Sequence, residues 1–181
     1  ATIHEAMGRT GLMKPYMRPI YPGAKICGTA VTVLLQPGDN WMMHVAAEQI
    51  QPGDIVVVDC SGAMSNAVLG DLVANKSIHR KIGGYVIDGL IRDLDGIKET
   101  GLPVYARGVT PFGPLHRGPG EINTPICCGG IVVNPGDIIK ADTTGIAVIP
   151  RGFADDIIQR LQSSKARLAE YVASVKRGDF S

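Results

Sequence analysis

Arg92 and Asp93 stand just beyond a short strand-like run, Gly84–Asp88, and twenty residues separate them from an earlier acidic residue, Asp71. Strand ends in α/β folds open onto crevices where ligands bind. An aspartate there supplies a hard oxygen ligand for a divalent cation, and an adjacent arginine supplies a planar pair of donors for a substrate carboxylate. The spacing therefore indicates a metal site beside a carboxylate-binding arginine.

The residues around Asp71 extend this candidate site. Gly70 permits close backbone approach, and free amide groups from Gly70 to Leu72 could hold an anionic oxygen. Asp71 would bind a metal directly or orient a metal-bound water. The plainer alternatives are an exposed acid within a helix for Asp71 and a salt bridge at a helix start for Arg92 and Asp93. The residues alone leave both interpretations open.

The pattern of Asp71, twenty residues, and then Arg92-Asp93 resembles the signature of class II pyruvate aldolases. These enzymes cleave 4-hydroxy-4-methyl-2-oxoglutarate and 4-carboxy-4-hydroxy-2-oxoadipate, and they share a fold with the regulator of ribonuclease activity A. Further segments resemble the same family: Thr2–Ala6, Gly83–Gly89 and Asn134–Asp137. The resemblance thus covers nearly the whole chain.

The resemblance implies a fold and an assembly. We expect an α/β fold, a layered β/β/α sandwich-like domain with a mixed central sheet. Family members assemble as homotrimers or homohexamers with sites at subunit interfaces. The chain is shorter than full-length aldolases of this type and begins without Met, so we expect it to be a fragment that lacks some interface residues. Glu170 is a candidate acid at such an interface, although a solvated helix face is the commoner role.

The resemblance also implies a chemistry. Mg²⁺ or Mn²⁺ would be the cofactor, with Asp93 as its ligand and Asp71 holding metal-bound waters. Arg92 would contact the substrate, and backbone amides from Gly70 to Leu72 would bind the pyruvyl carboxylate. The reaction is retro-aldol cleavage of a 4-hydroxy-2-oxo acid to pyruvate and a second keto acid. Decarboxylation of oxaloacetate is the expected side activity, because it gives the same enolate.

Composition is consistent with a small-molecule enzyme. The chain has 181 residues, 45% of them hydrophobic and 19% charged, which suits a single domain over residues 1–181. A net charge of +1, interspersed charges and few aromatic residues argue against nucleic-acid binding. No apolar run is long enough for a membrane span, and the N-terminus lacks signal-peptide character, so we expect a cytoplasmic protein without membrane partners.

Cysteine and histidine give weaker signals. None of the four cysteines forms a C-x-x-C pair, and we expect them to be buried small side chains in a reducing cytoplasm. The four histidines show no zinc-type spacing. His44 and His116 could act in proton transfer, but neither has a partner visible in the sequence, so a structural role is the simpler interpretation.

Apolar periodicity and turn residues predict helices and strands in mixed order. Prolines and glycines predict loops at 14–22 and 110–125. Helices are predicted at 2–7, 41–50, 67–80, 91–99 and 154–176. Strands are predicted at 26–35, 55–58, 84–88, 103–106, 126–133, 137–140 and 146–149.

One phrase occurs twice. Gln51–Ile55 and Asn134–Ile138 each contain Pro-Gly-Asp-Ile and lead into a strand that ends in Asp, at Asp59 and Asp142. The simpler interpretation is turn chemistry, in which the Asp side chain of each turn caps its own loop. Two acidic metal ligands at the strand ends are the alternative.

Three other functions compete with the aldolase. A non-catalytic regulator of an RNA-degrading enzyme would have the same fold, but it would not need the complete set of Asp71, Arg92 and Asp93. A methyltransferase would need a glycine fingerprint between a first strand and helix, whereas Gly83-Gly84 precedes a strand. A ligand-binding module without turnover would release no pyruvate.

Overall fold

The computed structural model describes residues 1–179 and confirms an α/β architecture. Its helices are α1 (Thr2–Ala6), α2 (Trp41–Ala46), α3 (Asp71–His79), α4 (Leu94–Thr100) and α5 (Ala154–Lys176), and a 3₁₀ turn (Arg151–Phe153) precedes α5. Its strands are β1 (Arg18–Pro19), β2 (Ile26–Leu35), β3 (Ile55–Asp59), β4 (Ala67–Leu69), β5 (Gly84–Ile91), β6 (Val104–Val109), β7 (Gly120–Ile122), β8 (Ile126–Cys128), β9 (Ile131–Val133), β10 (Ile138–Ala141) and β11 (Ile146–Ile149).

A mixed sheet forms the centre of the molecule, in the order β1-β6-β5-β3-β2-β10-β11. Strands β2, β3, β5 and β6 run parallel, while β1, β10 and β11 join antiparallel at the two ends. Strand β4 adds to β5 in parallel and β7 adds to β2 antiparallel. The helix–strand alternation of the first half supplies the crossovers that parallel strands need.

Two hydrophobic cores lie on opposite faces of this sheet. Val56 and Val58 of β3 pack toward the helices, with Met43 of α2 and Ile97 of α4. The alternate residues of β3, Ile55 and Val57, belong to a second core with residues of β8 to β11. Because successive side chains point to opposite faces, the continuous apolar run of β3 buries both of its sides. The result is the expected order of layers, β/β/α.

Several sequence-based boundaries were wrong. The predicted loops 14–22 and 110–125 contain the short strands β1 and β7, and α2 ends at Ala46 and not at residue 50. Residues 67–69 are a strand, not the first turn of a helix, because they pair with the end of β5. Strand β5 continues through Ile91, so the following helix begins only at Leu94. The predicted strand 126–133 is a hairpin, because Gly129 and Gly130 both adopt positive φ and turn the chain back.

The repeated phrase has the predicted turn chemistry. The Asp54 carboxylate accepts the Gln51 N–H at 3.0 Å, and the Asp137 carboxylate accepts the Asn134 N–H at 2.8 Å. The strands that follow, β3 and β10, flank β2 on its two sides. Asp59 and Asp142, at the far ends, accept backbone N–H groups of their own loops. The two copies therefore act as turns.

The cysteines differ in part from the expectation. Cys60 and Cys128 are buried, as predicted, but Cys27 and Cys127 are exposed. All four are free thiols. Burial raises the pKa of the Cys60 thiol to about 12, so this side chain stays protonated and behaves as a small hydrophobic residue. Over residues 1–179, no helix has the length and apolar character needed to cross a bilayer.

Strand β5 carries one charged residue in its buried run, and the structure pairs it. The Asp88 carboxylate accepts a hydrogen bond from Arg107 Nε and another from the Gly129 N–H at 2.8 Å. The Arg107 guanidinium lies 4.3 Å from the ring centre of Tyr16. Asp88 thus ties β5 to the β8–β9 hairpin. No local pattern in the sequence predicts the pairing of Asp88 with Arg107.

Removal of the Asp88 carboxylate should destabilise the protein substantially. Asp88→Ala leaves a partly buried guanidinium and the Gly129 N–H without their acceptor, and we expect the free energy of unfolding to fall by about 2–4 kcal/mol. Urea denaturation measures this. The matched control is Asp156→Ala in the exposed Asp156–Arg160 pair, where we expect a change below about 1 kcal/mol. Equal losses in the two variants would contradict the structural role of Asp88.

Candidate functional site

The site lies where two neighbouring parallel strands end. Strand β4 leads into Gly70 and Asp71, and strand β5 leads into Arg92 and Asp93. The Arg92 N–H donates to the Leu69 carbonyl at 2.9 Å, which extends the pairing past the last strand residue. Residues separated by twenty positions are thereby brought side by side, and each pair leads directly into a helix, α3 or α4.

Gly70 is required at the centre of this arrangement. A side chain at position 70 would put its Cβ 2.5 Å from Asp93 Oδ2 and 3.1 Å from Arg92 Nε. The Asp93 carboxylate and the guanidinium therefore pack directly on bare backbone. Asp93 Oδ2 and Arg92 Nε are 3.3 Å apart, and both side chains are about two-fifths exposed, at 42% and 40%. The predicted ion pair exists, and it lies within the candidate site.

Asp93 adopts an unusual backbone conformation. Its φ of 54° and ψ of 46° place it in the left-handed region, which Asp tolerates better than most residues. Asp93 occupies the N-cap position of α4, yet its carboxylate makes no capping hydrogen bond. The sharp turn directs the chain into α4 immediately after β5. The carboxylate consequently remains available to Arg92 and to a ligand.

Asp71 is the first residue of α3 and packs against α4. A Cβ at Gly96 would lie 2.7 Å from the Asp71 Cβ, so the glycine allows the two helix starts to approach closely. Asp71 Oδ1 accepts the Leu72 N–H at 2.7 Å. This differs from the expectation of free amides over residues 70–72, because the Leu72 amide is already engaged by Asp71. The Leu72 side chain is 70% exposed.

A cavity of about 180 Å³ opens beside these residues. Its walls include four of the predicted site residues, namely Gly70, Asp71, Leu72 and Arg92. Four polar residues that the sequence analysis did not assign to the site complete it: Asn40, His44, Lys76 and His116. Asp93 does not line this cavity but touches Gly70 and Arg92 at its edge. The cavity therefore joins both predicted strand ends to α2 and to the loop before β7.

Asp39 holds that loop in place. Its carboxylate accepts the N–H groups of Trp41 at 2.7 Å, Arg117 at 2.6 Å and Gly118 at 3.2 Å. Burial acts to raise the pKa of Asp39, but these N–H donors outweigh it and hold the pKa below its ordinary value. Asp39 thus fixes His116 relative to the start of α2. The sequence signal was the turn Pro37-Gly38-Asp39, which predicts a local cap but not a contact with residue 117.

Both histidines line the cavity, and their rings are neighbours, with centres 6.0 Å apart and planes tilted by 56°. Burial lowers the pKa of His44, and the positive charges of Lys76 and His116 lower it further. Neutral imidazole is therefore the favoured form of His44 near pH 7. The sequence left proton transfer open for both histidines but favoured structural roles, because residues 44 and 116 become neighbours only in the folded chain.

The donor set fits a hydrated divalent cation, not a closed metal cage. Among residues 1–179, no three His, Cys, Asp or Glu side chains are placed to hold an ion together. Mg²⁺ commonly uses one or two carboxylates and keeps several waters. The uncapped Asp93 carboxylate, with Asp71 nearby on α3, supplies hard oxygens of that kind. The residues present are compatible with the predicted Mg²⁺ or Mn²⁺.

Known proteins of similar sequence and structure define the class. The family model described as RraA-like, Aldolase/RraA, matches residues 1–148. A protein of Halalkalibacterium halodurans named "Putative 4-hydroxy-4-methyl-2-oxoglutarate aldolase" is 35% identical over 150 residues, which cover 83% of this chain and 71% of that protein.

Two solved structures share the fold over most of the chain. An uncharacterized protein from Pseudomonas syringae pv. tomato has a TM-score of 0.86 at 26% identity, covering 99% of this chain and 88% of that one. Streptomyces coelicolor RraAS2, described as an unusual member of the RNase ES inhibitor RraA family, has a TM-score of 0.83 at 26% identity, covering 95% and 89%.

The layered mixed sheet and its likeness to these solved structures thus define an RraA-type α/β fold. With the family model matched over residues 1–148, this chain belongs to the Aldolase/RraA family. The resemblance identified from Asp71, Arg92 and Asp93 is confirmed at the level of the family. The roles assigned to the individual residues stay predictions.

The altered pKa of His44 can be measured directly. An NMR titration should place its midpoint below the ordinary histidine value of about 6.5. Lys76→Met should raise the midpoint, because it removes a positive charge that faces the imidazole. Lys98→Met on α4, away from the cavity, serves as the control. An unchanged His44 midpoint in the Lys76 variant would exclude this electrostatic coupling.

The same shift has a defined sign for stability. The unfolded chain binds a proton at His44 more readily than the folded protein, so stability rises with pH between the folded and unfolded midpoints. The stability that neutral His44 contributes is lost as the pH falls from the unfolded midpoint to the folded midpoint.

Proposed function

We propose that the protein is a divalent-metal-dependent aldolase that cleaves a 4-hydroxy-2-oxo di- or tricarboxylic acid to pyruvate and a second keto acid. Candidate substrates are 4-hydroxy-4-methyl-2-oxoglutarate and 4-carboxy-4-hydroxy-2-oxoadipate. The observation that carries the proposal is the convergence of Gly70-Asp71 and Arg92-Asp93 beside one cavity. The names of the aldolase relatives support it.

Arg92 has the geometry of a substrate-binding residue. Arg92 lines the cavity, and its guanidinium packs on Gly70 and lies close to Gly113. These contacts fix the orientation of a planar donor group, which suits a carboxylate or an enolate oxygen. In the proposed reaction Arg92 binds the keto acid and then stabilises the negative charge that develops as the C3–C4 bond breaks.

The carboxylates have complementary roles. Asp93, paired with Arg92, would hold the metal at the edge of the cavity. Asp71, whose Oδ1 accepts the Leu72 N–H, keeps Oδ2 available to orient a water beside the substrate. When bound, a divalent cation would act as a Lewis acid and draw electrons from the keto group. Oxaloacetate would lose CO₂ through the same charge stabilisation, so decarboxylation is the proposed side activity.

Helix α5 supports a proposal of homotrimeric or homohexameric assembly. Along its length Ile158, Leu168, Tyr171 and Val172 are exposed by 43% to 66%. Exposed apolar side chains in a row commonly mark a protein contact. Glu170 lies on the same helix and is exposed, consistent with a solvated position or with an acid presented to a neighbouring subunit.

A non-catalytic regulator of an RNA-degrading enzyme is the second candidate, because the structural relative from Streptomyces coelicolor is described as belonging to an RNase inhibitor family. A coupled pyruvate assay separates the two functions. The two hydroxy-oxo acids and oxaloacetate should each be tested with Mg²⁺, with Mn²⁺ and with EDTA. Pyruvate release that EDTA abolishes and added metal restores is the expected result. No release from any substrate under any condition would refute the aldolase.

Loss of the Arg92 guanidinium should impair catalysis more than folding. Arg92→Ala is expected to lower kcat by about 10²–10³-fold, the usual effect of removing one donor to a developing oxyanion. The control is Arg160→Ala, which removes an exposed arginine far from the cavity. Steady-state pyruvate release measures both variants. Near-normal turnover in Arg92→Ala would remove this residue from the mechanism.

The Asp93 carboxylate should determine the response to metal. Asp93→Ala is expected to raise the Mg²⁺ concentration needed for half-maximal activity and to lower kcat by at least about tenfold. Gly70→Ala should act in the same direction, because its new Cβ would displace the Asp93 carboxylate. Gly145→Ala, at a position with open space, is the matched control. Unchanged metal titrations in both site variants would contradict the assignment of Asp93.

A further inference from the structure

Asn40 has a buried hydrogen-bond acceptor, Oδ1, beside the cavity, and this atom has no role in the mechanism proposed above. Its side chain is 3% exposed, and its Nδ2 donates to the Val68 carbonyl at 2.9 Å. Because that carbonyl can only accept, the bond fixes which side of the amide carries the oxygen. Within the described residues, Asn40 Oδ1 is one of two buried side-chain polar atoms without a hydrogen-bond partner. Such an atom requires a donor, and water or a ligand in the cavity can supply one.

His44 lies on the same face of α2 as Asn40. Asn40 is the N-cap of α2, and His44 follows four residues later, so their side chains project in the same direction one turn apart. Both residues line the cavity with Asp71 and Arg92. His116 faces His44 from the loop that Asp39 anchors. The lining of the cavity therefore carries a hydrogen-bond acceptor and two imidazoles.

The charges around His44 favour its neutral form. Lys76 on α3 and His116 on the loop face it from two elements, and Arg92 lines the same cavity. A second depression, on the side of α2 near β5, brings Glu48 and Arg80 close to the same histidine. Asp71 and Glu48 are the acidic residues that line these two cavities with His44, and Lys76, Arg80 and Arg92 are the basic ones. A neutral imidazole is a ready proton acceptor near pH 7, where a carboxylate is a weaker one.

We propose that His44 is the general base of the retro-aldol step and that Asn40 Oδ1 holds the water through which it acts. This inference rests on the proposed aldolase function. The O–H bond of the C4 hydroxyl breaks and its proton passes to the water, which gives a proton to the His44 imidazole. The oxygen electron pair forms the new C4 carbonyl, and the C3–C4 bonding pair remains on the pyruvate half as the enolate. C3 then takes up one proton and the imidazolium releases one, so the step is balanced.

Oxaloacetate supplies an internal comparison. It has no C4 hydroxyl, so its decarboxylation needs charge stabilisation by Arg92 but no proton acceptor in the bond-breaking step. A base at His44 should therefore matter for the hydroxy-oxo acids and not for oxaloacetate. The ratio of the two rates in one sample is independent of the fraction of folded protein. That ratio separates a catalytic role of His44 from a structural one.

The experiment measures both reactions in His44→Asn, Asn40→Leu and His79→Asn. His79→Asn is the matched control, because His79 is exposed at the end of α3 and does not line the cavity. His44→Asn should lower cleavage of the hydroxy-oxo acid by about 10²–10⁴-fold, the usual range for a general base, and change decarboxylation by less than about twofold. Asn40→Leu should lower the same ratio by about tenfold, as the loss of one hydrogen bond would. The control should leave the ratio unchanged.

The pH profile gives a second readout. The acidic limb of kcat for cleavage should follow protonation of His44 and should disappear in His44→Asn. Equal losses in both reactions, or no loss in either, would overturn the proposal. Failure of the aldolase function itself looks different, because the unmodified protein would then release no pyruvate from any hydroxy-oxo acid.

Discussion

The backbone hydrogen bond from the Arg92 N–H to the Leu69 carbonyl, at 2.9 Å, joins the two chain segments on which the candidate site is built. It continues the parallel pairing of β4 with β5 beyond their last strand residues. Both strands then lead directly into helices, so Asp71 and Asp93 occupy two adjacent helix starts. Positive ends of helix dipoles stabilise carboxylates at such places. The fold thus places acidic oxygens at one corner, where the positive helix ends offset part of their repulsion.

Gly70 and Gly96 make this corner compact. Neither glycine has a side chain, so an aspartate of the neighbouring segment can pack against its backbone. Asp93 packs against Gly70, and Asp71 packs against Gly96. The two contacts are reciprocal, because each segment contributes one glycine and one aspartate. The separation of the helix starts is therefore set by van der Waals contact, which is stiffer than a surface ion pair. Close packing of this kind restricts the movement of both aspartates.

Sequence reasoning predicted the class of fold better than the boundaries of its elements, and the roles of the site residues stay predictions. The class of fold and the pairing of Asp71 with Arg92-Asp93 followed from the family resemblance, and strands such as 55–58 followed from apolar runs. Residues 67–69 were assigned to a helix, because their strand character depends on pairing with β5, which is a tertiary contact. The left-handed φ of Asp93 has no signal in the sequence, since Asp is far less diagnostic than Gly in that region.

Asn40 had no predicted role, and His44 and His116 were considered for proton transfer without a visible partner, for a related reason. These residues lie at α2 and on a loop about seventy residues further along the chain. The two segments meet through the Asp39 carboxylate and through the backbone hydrogen bonds that Leu115 makes with Gly38 and Asn40. Asp88 and Arg107 likewise meet across two strands. Local sequence patterns predict turns and the periodicity of helices and strands. The contacts described here depend instead on how the strands of the whole sheet are aligned. Long-range polar contacts are therefore where sequence-based prediction of this fold is weakest.

The Asp39 carboxylate and the His44 imidazole respond to acid over different pH ranges. A carboxylate whose pKa is depressed by N–H donors loses its contribution only in strong acid, below the ordinary range of Asp titration. Asp39 therefore stays ionised, and keeps its hydrogen bonds to the loop, while acidification from neutrality changes the ionisation of the His44 imidazole.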